Sequence, residues 1–379
     1  MLSKTPPMGF NTWNTFAENI SEDVIIETAD KMVETGLLKA GYEYLVIDDC
    51  WSEKERDPET GKIVPDKEKF PHGMKYVSDY VHSKGLKFGM YSCAGTRTCA
   101  DYPGSFDHEY LDAKTFAEYG ADFLKYDFCY KPETAHGPTL YRKMGMALRN
   151  CGREILFSAC NWGSDDVNKW IRSAGAHMYR STGDINDSFV SFKDIAMSQL
   201  DNFAYSGVGC FNDIDMLTVG MYGEGHVGSK GCNDTDYKTQ FSLWCMFASP
   251  LMLGSDIRKM NDYILNLVTN KELLRINQDE EARPAFVVGN KNDPRTFSSP
   301  TIFRLLSNNE FAIFFGNFTE GTSSTDINFH DVGISADCGF DVELKNVFTG
   351  ETKRVREYYN ETNIPAHGCE VYIGRLVER

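Results

Sequence analysis

The sequence predicts an α/β protein in which a (β/α)8 (TIM) barrel is followed by an antiparallel β-sandwich domain. Short apolar runs alternate with amphipathic helical stretches through the first three quarters of the chain. Parallel neighbouring strands need crossover connections, so this alternation indicates a parallel sheet. Eight such units over about 270 residues fit a closed barrel. An open sheet would also be expected to carry a glycine-rich phosphate loop after an early strand, and we find none.

The predicted strands are short and end where charged, aromatic or small residues begin. They lie within residues 8–13, 42–49, 86–92, 119–130, 154–159, 177–182, 210–217 and 250–253. Ser21 is the predicted N-cap of the first helix, whose apolar residues recur at helical spacing until Gly36. Further helices are predicted near residues 74–83, 110–119, 139–149, 192–203 and 237–248, with another around 170–171.

The pattern changes after residue 275. Short strands separated by Asn, Gly, Asp and Pro turns follow, with no helical period between them. They cover residues 287–288, 301–305, 310–317, 340–347 and 370–376. We therefore predict a catalytic barrel at residues 1–275 and a separate antiparallel β-domain at residues 276–379.

Composition excludes several classes of partner. The formal net charge of −16 argues against nucleic acid or an anionic membrane, because 55 acidic residues outnumber the 39 Lys and Arg that could neutralise phosphates. No apolar run approaches the length of a membrane span, and the first residues lack the apolar core of a signal peptide. We therefore expect a cytoplasmic protein, or a secreted one if a leader has been removed. The oligomeric state is left open.

The eleven cysteines are too few for a disulfide scaffold in a chain of 379 residues. Their spacing does not match a zinc site, so no metal is expected. An odd number of cysteines leaves at least one free thiol.

A cation and a carboxylate end the fourth predicted strand. Lys125 and Asp127 point to one face of that strand and Tyr126 to the other, because side chains alternate along a strand. An isolated pair of this kind is usually a structural salt bridge. In a barrel, however, the carboxyl ends of all strands meet at the face that carries the active site. By these assignments that face also carries Trp13, Asp48, Asp49, Tyr91, Trp162, Arg180, Asp184 and Asp213.

Carboxylates dominate this set, beside two cations and several aromatic residues. Acids, Lys and Arg bind hydroxyl groups, and Trp or Tyr covers the apolar face of a sugar ring, so the set suits a polyol ligand. Paired carboxylates also suit glycoside hydrolysis, in which one acid attacks the anomeric carbon and the other protonates the leaving oxygen. The residue types alone do not assign these two roles, and each acid by itself could be a helix cap or a solvated loop residue.

Seven motifs occur in a fixed order along the predicted barrel. They are PMGFNTWN at 7–14, IDDCW at 47–51, GMYS at 89–92, TCADYPGS at 98–105, KYD at 125–127, RSTGD at 180–184 and NDIDML at 212–217. Together they resemble the motifs of glycoside hydrolase family 27, whose commonest members are α-galactosidases. INQD at 276–279 resembles the family's junction into a C-terminal β-sandwich. The resemblance implies release of terminal α-linked galactose from oligosaccharides or polysaccharide side chains, without a metal or organic cofactor.

The resemblance also implies residue roles in a retaining double displacement. Asp127 would be the nucleophile and Asp184 the general acid/base, with their carboxyl groups about 5–5.5 Å apart. The remaining residues would bind the sugar: Asp48 and Asp49 at the C4 and C6 hydroxyls, Lys125 at C3 and C4, Arg180 at C2, Trp13 under the ring and Tyr91 in the wall. Cys99 and Cys129 match a frequent disulfide of the family beside the sugar site. A reducing cytoplasm disfavours such a bond.

Asn161 departs from the family pattern, since many members have Glu there. With Trp162 it is expected to form the wall that faces the C2 substituent. Members that act on N-acetylgalactosamine have small residues there, so an α-N-acetylgalactosaminidase is disfavoured and a plain C2 hydroxyl is favoured.

A β-L-arabinopyranosidase is the nearest competitor to an α-galactosidase, because L-arabinopyranose is galactose without its hydroxymethyl arm. The Asp48 and Asp49 pair favours a substrate with a C6 hydroxyl. The non-enzymatic alternative is an inactive galactoside-binding protein. The presence of both candidate catalytic acids argues against it.

Overall fold

The computed structural model describes residues 2–289 and 293–379. Within them, eight parallel strands form one sheet in the order β7-β6-β5-β4-β3-β2-β1-β8. The strands are β1 (Met8–Asn11), β2 (Tyr44–Val46), β3 (Lys87–Cys93), β4 (Phe123–Asp127), β5 (Leu156–Cys160), β6 (Met178–Arg180), β7 (Phe211–Asp213) and β8 (Leu251–Leu253).

The sheet closes on itself between β7 and β8. Leu217, which follows β7, forms a parallel bridge with Leu253 of β8. The amide N–H of Leu217 donates to the carbonyl of Met252 at 2.8 Å, and that of Gly254 donates to Leu217 at 2.9 Å. The ring of strands is therefore complete, and the predicted (β/α)8 barrel is confirmed.

Helices cover the outside of the barrel, which is why the strands are apolar along almost their whole length. They are α1 (Trp13–Phe16), α2 (Glu22–Glu34), α3 (Leu37–Ala40), α4 (Gly73–Ser83), α5 (Glu109–Tyr119), α6 (Gly137–Arg149), α7 (Ile171–Ala174), α8 (Phe189–Ser198), α9 (Asp234–Met246), α10 (Asp262–Val268) and α11 (Lys271–Asn277). Short 3-10 helices lie at Ser164–Lys169, Phe203–Tyr205 and Ile257–Lys259. Ser21 caps α2 as predicted, because its hydroxyl accepts from the amide of Val24 at 3.4 Å. No helix in the described ranges is long and apolar enough to cross a membrane.

Inward-pointing apolar side chains fill the lower part of the barrel. Tyr44, Phe123, Leu156, Met178 and Met252, one from each of five strands, belong to a buried cluster separate from the main core. Since side chains two residues apart share a face, Lys125 lies one layer above Phe123, and Arg180 one layer above Met178. The apolar layer therefore forms the floor beneath the charged residues at the strand ends.

Strand β2 ends earlier than predicted, and the reason lies in the backbone. The amides of Asp48, Asp49 and Cys50 donate to side-chain oxygens of Thr12, Asp48 and Asp49 at 2.7 to 3.0 Å. These amides are no longer available to the sheet ladder. The backbone thus leaves the sheet where its side chains become polar.

The second domain is an antiparallel sandwich, as predicted. In its described residues a six-stranded sheet in the order β14-β13-β16-β11-β10-β9 lies beside a two-stranded sheet, β12-β15. The strands are β9 (Phe286–Val287), β10 (Thr301–Leu305), β11 (Glu310–Gly316), β12 (Ser323–Asn328), β13 (Phe340–Asn346), β14 (Thr352–Val355), β15 (Tyr358–Ile364) and β16 (Cys369–Glu378). A short helix, α12 (Pro294–Ser298), and a 3-10 helix, Phe329–Val332, interrupt them, although no helical period was predicted there.

The sandwich core lies between the two sheets. Ile327 and Ile364 of the smaller sheet pack in one buried cluster with Phe303, Ile313 and Leu344 of the larger one. Arg304 points the other way and is fully buried against the barrel, where its guanidinium donates to the carbonyls of three segments, at Cys245, Ile276 and Arg283. The two domains therefore share a polar contact inside their interface. The predicted boundary between residues 275 and 276 falls within α11.

Candidate active site

A cavity of about 180 Å³ opens at the carboxyl ends of the barrel strands. This volume is smaller than the range of about 300–1,000 Å³ that is typical of sites for drug-sized ligands, so the cavity has the size for a smaller ligand. The predicted residues in its lining are Trp13, Asp48, Asp49, Tyr91, Cys99, Lys125, Asp127, Trp162, Arg180 and Asp184. The residues predicted from the ends of six strands therefore lie together in one cavity.

Cys129, Asp213 and Asn161 were predicted at the site but do not line this cavity. Asn161 was expected in its wall and is not there. It is fully buried, and its amide nitrogen donates to the carbonyl of Ser164 at 2.8 Å, which stabilises the turn after β5. The next residue, Trp162, has a left-handed backbone with φ of 57°, which turns the chain sharply and accompanies its position in the cavity wall. At this turn the side chain of Trp162, and not that of Asn161, faces the ligand space.

Lys125 and Asp48 form a buried ion pair at one side of the cavity. Lys125 Nζ lies 2.7 Å from Asp48 Oδ2, and the same oxygen accepts from Asn11 Nδ2 at 2.7 Å. Burial disfavours the charged lysine, but the charges of Asp48 and Asp127 outweigh it and raise the pKa of Lys125. Lys125 is thus held in its charged form, and the ion pair fixes the positions of both side chains.

Asp49 is held by a loop that the Cys99–Cys129 disulfide closes. The bond is present, as the family resemblance implied. The amide of Ala100, next to Cys99, donates to Asp49 Oδ2 at 3.0 Å. Burial raises the pKa of Asp49, and the hydrogen bonds from Ala100, Thr98 and Cys50 partly offset that effect. The disulfide therefore fixes a donor that the Asp49 carboxylate requires.

Asp127 lies deep in the cavity at the end of β4, with only 6% of its surface exposed. The hydroxyl of Tyr91 donates to its Oδ2 at 3.1 Å, and the amide of Phe128 donates to its Oδ1 at 3.0 Å. Burial raises the pKa of Asp127 to about 6, although the charge of Lys125 acts in the opposite direction. Above that pH the carboxylate is ionised and available as a nucleophile.

Arg180 joins two carboxylates on the other side of the cavity. Its Nη2 lies 2.8 Å from Asp184 Oδ1 and 2.6 Å from Asp215 Oδ2. Burial opposes its charge, but Asp215 and the other nearby acids raise the pKa of Arg180. The side chain of Asp184 is 84% exposed, whereas that of Asp215 is buried. Asp184 therefore lies at the solvent-facing mouth of the cavity.

Seven residues in the lining were not predicted as site residues: Asn14, Cys160, Ile185, Asp215, Met216, His226 and Val227. Asp215 stands in the motif at 212–217, so the sequence did contain a signal for it. Its backbone has a positive φ of 86°, and its carboxylate accepts from the amides of Ile185 and Met216. Asp213, at the end of β7, lines a smaller chamber beneath the main cavity.

Few of the potential metal-binding atoms in the described lining lie close enough together to share an ion. In the described parts of the chain, one group of suitable atoms lies within 4.8 Å of one another, from Cys99, Cys129 and Asp127. The two cysteines are joined to each other, so neither presents a thiolate, the form in which cysteine binds metals. The same lining, with its carboxylate, lysine and arginine side chains, is suited to binding hydroxyl groups.

Comparisons with known proteins agree over both domains. The model of the family described as alpha galactosidase A matches residues 5–279, and the model of the alpha galactosidase C-terminal beta sandwich domain matches residues 301–373. The chain is 40% identical over 373 residues to an alpha-galactosidase of Cyamopsis tetragonoloba, which covers 98% of this chain and 86% of that one.

Two solved structures are similar over nearly their whole length. Alpha-galactosidase I from Mortierella vinacea has a TM-score of 0.90 and 30% identity, and the match covers 98% of this chain and 97% of that one. An alpha-galactosidase from Saccharomyces cerevisiae, solved with raffinose, has a TM-score of 0.88 and 27% identity, with coverage of 99% and 98%.

Proposed function

This chain belongs to the alpha galactosidase A family, and we propose that it is an α-galactosidase that releases terminal α-linked D-galactose with retention of configuration. One observation carries the proposal. A deep carboxylate, Asp127, and an exposed one, Asp184, line the same small cavity together with fixed hydroxyl-binding groups. A retaining glycosidase needs one carboxylate that attacks the anomeric carbon and one carboxylic acid that reaches the leaving oxygen.

In the first step an ionised oxygen of Asp127 attacks the anomeric carbon, and the bond to the leaving oxygen breaks. Asp184 donates its proton to that oxygen, which leaves as a hydroxyl group. Tyr91 and Phe128 hold the two oxygens of Asp127, so the attacking carboxylate is oriented before the sugar arrives.

In the second step a water molecule attacks the same carbon of the galactosyl ester. Asp184 takes a proton from the water, and the carboxylate of Asp127 is released. Two inversions at one carbon give net retention. Arg180, 2.8 Å from Asp184, stabilises the negative charge that Asp184 carries between the two steps.

The fixed carboxylates opposite Arg180 are suited to the recognition of galactose. Asp48, held by Lys125 and Asn11, and Asp49, held by Ala100, present oxygen atoms that accept from sugar hydroxyls. We assign them to the hydroxyls at C4 and C6. The C6 contact is absent in L-arabinopyranose, so that sugar is disfavoured. Alpha-galactosidases match this chain over both domains, which also disfavours an N-acetylgalactosaminidase and an inactive binding protein.

The substrates we propose are galactose-containing oligosaccharides of the raffinose type. The cavity encloses a space of about one sugar, so the rest of the substrate lies outside it. The related Saccharomyces enzyme was solved with raffinose, which supports this class. Polysaccharides with single galactose side chains meet the same requirement, because Asp184 is accessible at the mouth.

The test compares kcat/KM on the nitrophenyl glycosides of α-galactose, α-N-acetylgalactosamine and β-L-arabinopyranose. We expect α-galactoside to lead by at least about tenfold, or about 1.4 kcal/mol of transition-state discrimination. Proton NMR of the first product should show α-galactose, the retained anomer. A higher kcat/KM on either of the other two glycosides would refute the galactose assignment. The absence of turnover on all three would refute the proposal that the protein is a glycosidase.

A further inference from the structure

The cavity mouth is bordered by a glycine-rich loop between the barrel ring and α9, residues 219–232, which we call the mouth loop. It contributes His226 and Val227 to the cavity lining. The amide of His226 donates to the carbonyl of Thr15 at 3.2 Å, and the amide of Val227 donates to Asn14 at 3.1 Å. The mouth loop is therefore attached to the segment after β1, the same segment that carries Trp13.

Close backbone contacts make the mouth loop rigid. A Cβ atom at Gly228 would lie 2.1 Å from the carbonyl oxygen of Gly223, so no other residue fits where the loop folds on itself. Gly225 has a φ of 83°, and a Cβ there would lie 3.1 Å from the carbonyl oxygen of Asn14. The loop position is thus determined by contacts that do not depend on a ligand.

The buried carboxylate of Asp187 also fixes the mouth loop. Asp187 accepts from the amide of Gly223 at 2.9 Å and from the hydroxyl of Tyr237 at 2.9 Å. Its own amide donates to the carbonyl of Val227 at 2.9 Å. Asp187 is completely buried, so these bonds are protected from water. The side chain after Gly225 is therefore presented at the cavity mouth in a fixed position.

That side chain is the imidazole of His226. It is exposed, lines the cavity, and lies with its ring centroid 5.4 Å from that of Trp13 in an edge-to-face arrangement. None of the described residues forms a hydrogen bond with its ring nitrogens. The ring is positioned by an apolar contact while its polar atoms remain available.

The depth of the cavity residues separates two binding regions. Asp48 and Asp127 are almost inaccessible, at 1% and 6%, and mark the region for the galactose ring. Asp184 is exposed and must reach the leaving oxygen, so the leaving sugar lies at the mouth. His226 lies at that level over β1, and Trp162, 37% exposed, lies after β5, on the opposite side of the eight-stranded ring.

We propose that His226 is a specificity-determining residue that hydrogen-bonds a hydroxyl group of the leaving sugar, opposite Trp162. This inference rests on the proposed α-galactosidase function and defines its substrate class further. An imidazole nitrogen donates to or accepts from a sugar hydroxyl, whereas an unsubstituted aryl group offers no such partner. The mouth therefore favours hydroxyl-bearing leaving groups over aryl groups.

The experiment measures kcat/KM of the wild type, His226→Ala and His226→Gln on raffinose and on phenyl α-galactoside, whose leaving group carries no further hydrogen-bonding substituent. His226→Ala should lower kcat/KM on raffinose by about five- to tenfold, which corresponds to the loss of one neutral hydrogen bond. We expect a distinctly smaller decrease in kcat/KM on the aryl substrate. Gln retains a donor and an acceptor, so His226→Gln should recover most of the raffinose rate. His330→Ala, a surface histidine of the β-domain, is the matched control.

A second readout separates sugar binding from a structural role. A hexose such as glucose added to the aryl reaction competes with water for the galactosyl ester, and its hydroxyl forms the new glycosidic bond. If His226 binds a sugar at the mouth, His226→Ala lowers the ratio of transfer to hydrolysis several-fold, because water does not use that contact.

Equal losses on both substrates with an unchanged transfer ratio would overturn the inference, because they indicate that His226 only supports Trp13. Unchanged rates on both substrates would also overturn it. Neither result affects the proposed function, which depends on wild-type turnover of nitrophenyl α-galactoside. If the wild type lacks that turnover, the proposed function itself fails.

Discussion

Tyr91→Phe should shift the acid limb of the pH profile upward. The Tyr91 hydroxyl donates to Asp127 Oδ2 at 3.1 Å inside the cavity, and this bond lowers the pKa of Asp127 against the effect of burial. Phenylalanine keeps the ring and removes the donor. The ionised carboxylate then loses one of its two protein donors, while the protonated form loses little.

The magnitude follows from the geometry. A hydrogen bond to a charged group is worth about 1.5–3 kcal/mol, and one pKa unit corresponds to about 1.4 kcal/mol. Because 3.1 Å is long for an O–H to carboxylate bond, we take the lower value, a shift of about one unit. The pKa of Asp127 is raised to about 6 in the wild type. Asp127 must be ionised to attack, so kcat/KM should fall below about pH 6 in the wild type and below about pH 7 in the variant.

The assay is kcat/KM on nitrophenyl α-galactoside from pH 4 to 8, since this parameter reports groups of the free enzyme. Tyr76→Phe, on the exposed face of α4, is the matched control and should leave the profile unchanged. An acid limb that stays in place or moves to lower pH in Tyr91→Phe would refute the assignment of Asp127 as the group that limits activity at low pH.

Three further changes test other contacts. Asp127→Asn should lower kcat by at least about a thousandfold, with Asp79→Asn as the surface control. The pKa of Asp127 is raised to about 6 in the folded protein, so ionising this group at higher pH destabilises the wild type relative to the unfolded chain. Asparagine does not ionise, so the same variant should raise Tm more at pH 7 than at pH 4. An equal Tm change at both pH values would contradict this. Cys99→Ser, or reduction of the wild type, should raise KM about three- to tenfold by loosening the Ala100 donor to Asp49, whereas Cys338→Ser should not. Arg304→Leu should lower the free energy of unfolding, measured by urea denaturation, by about 2–4 kcal/mol, because it leaves buried carbonyls unpaired. The control is Arg354→Leu at an exposed position. An equally small loss in both variants would argue against the interface role of Arg304.

The barrel and most of its charged lining were predictable because they follow from local patterns. Apolar runs of strand length alternate with helical periods, and each of the residues Asp48, Lys125, Asp127 and Arg180 stands where such a run ends. A parallel barrel brings all of these ends to one face, so the order of elements implies a common site. The motifs that resemble the family then assigned roles that residue types alone leave open.

The predictions were weaker where the backbone departs from regular structure. Strands β12, β14 and β15 are largely polar and exposed, so their sequences contain no apolar run that marks a strand. Asn161 is buried while Trp162 faces the cavity, because the chain turns through a left-handed conformation at Trp162. Asp215 lies beyond the last residue of β7 and has a positive φ, so the strand-end assignment that selected Asp213 did not extend to it.

The sequence by itself determined the fold class, the layer of charged residues at the strand ends and the family, since all three depend on spacing along the chain. Only the tertiary structure decided the depth of each acid, the donors that hold Asp127 and Asp49, and the position of His226 beside Trp13. Those contacts join residues far apart in sequence, and they form only when the barrel closes and the loops pack on it. Burial and hydrogen bonding at the site are therefore properties of the folded ring rather than of any segment.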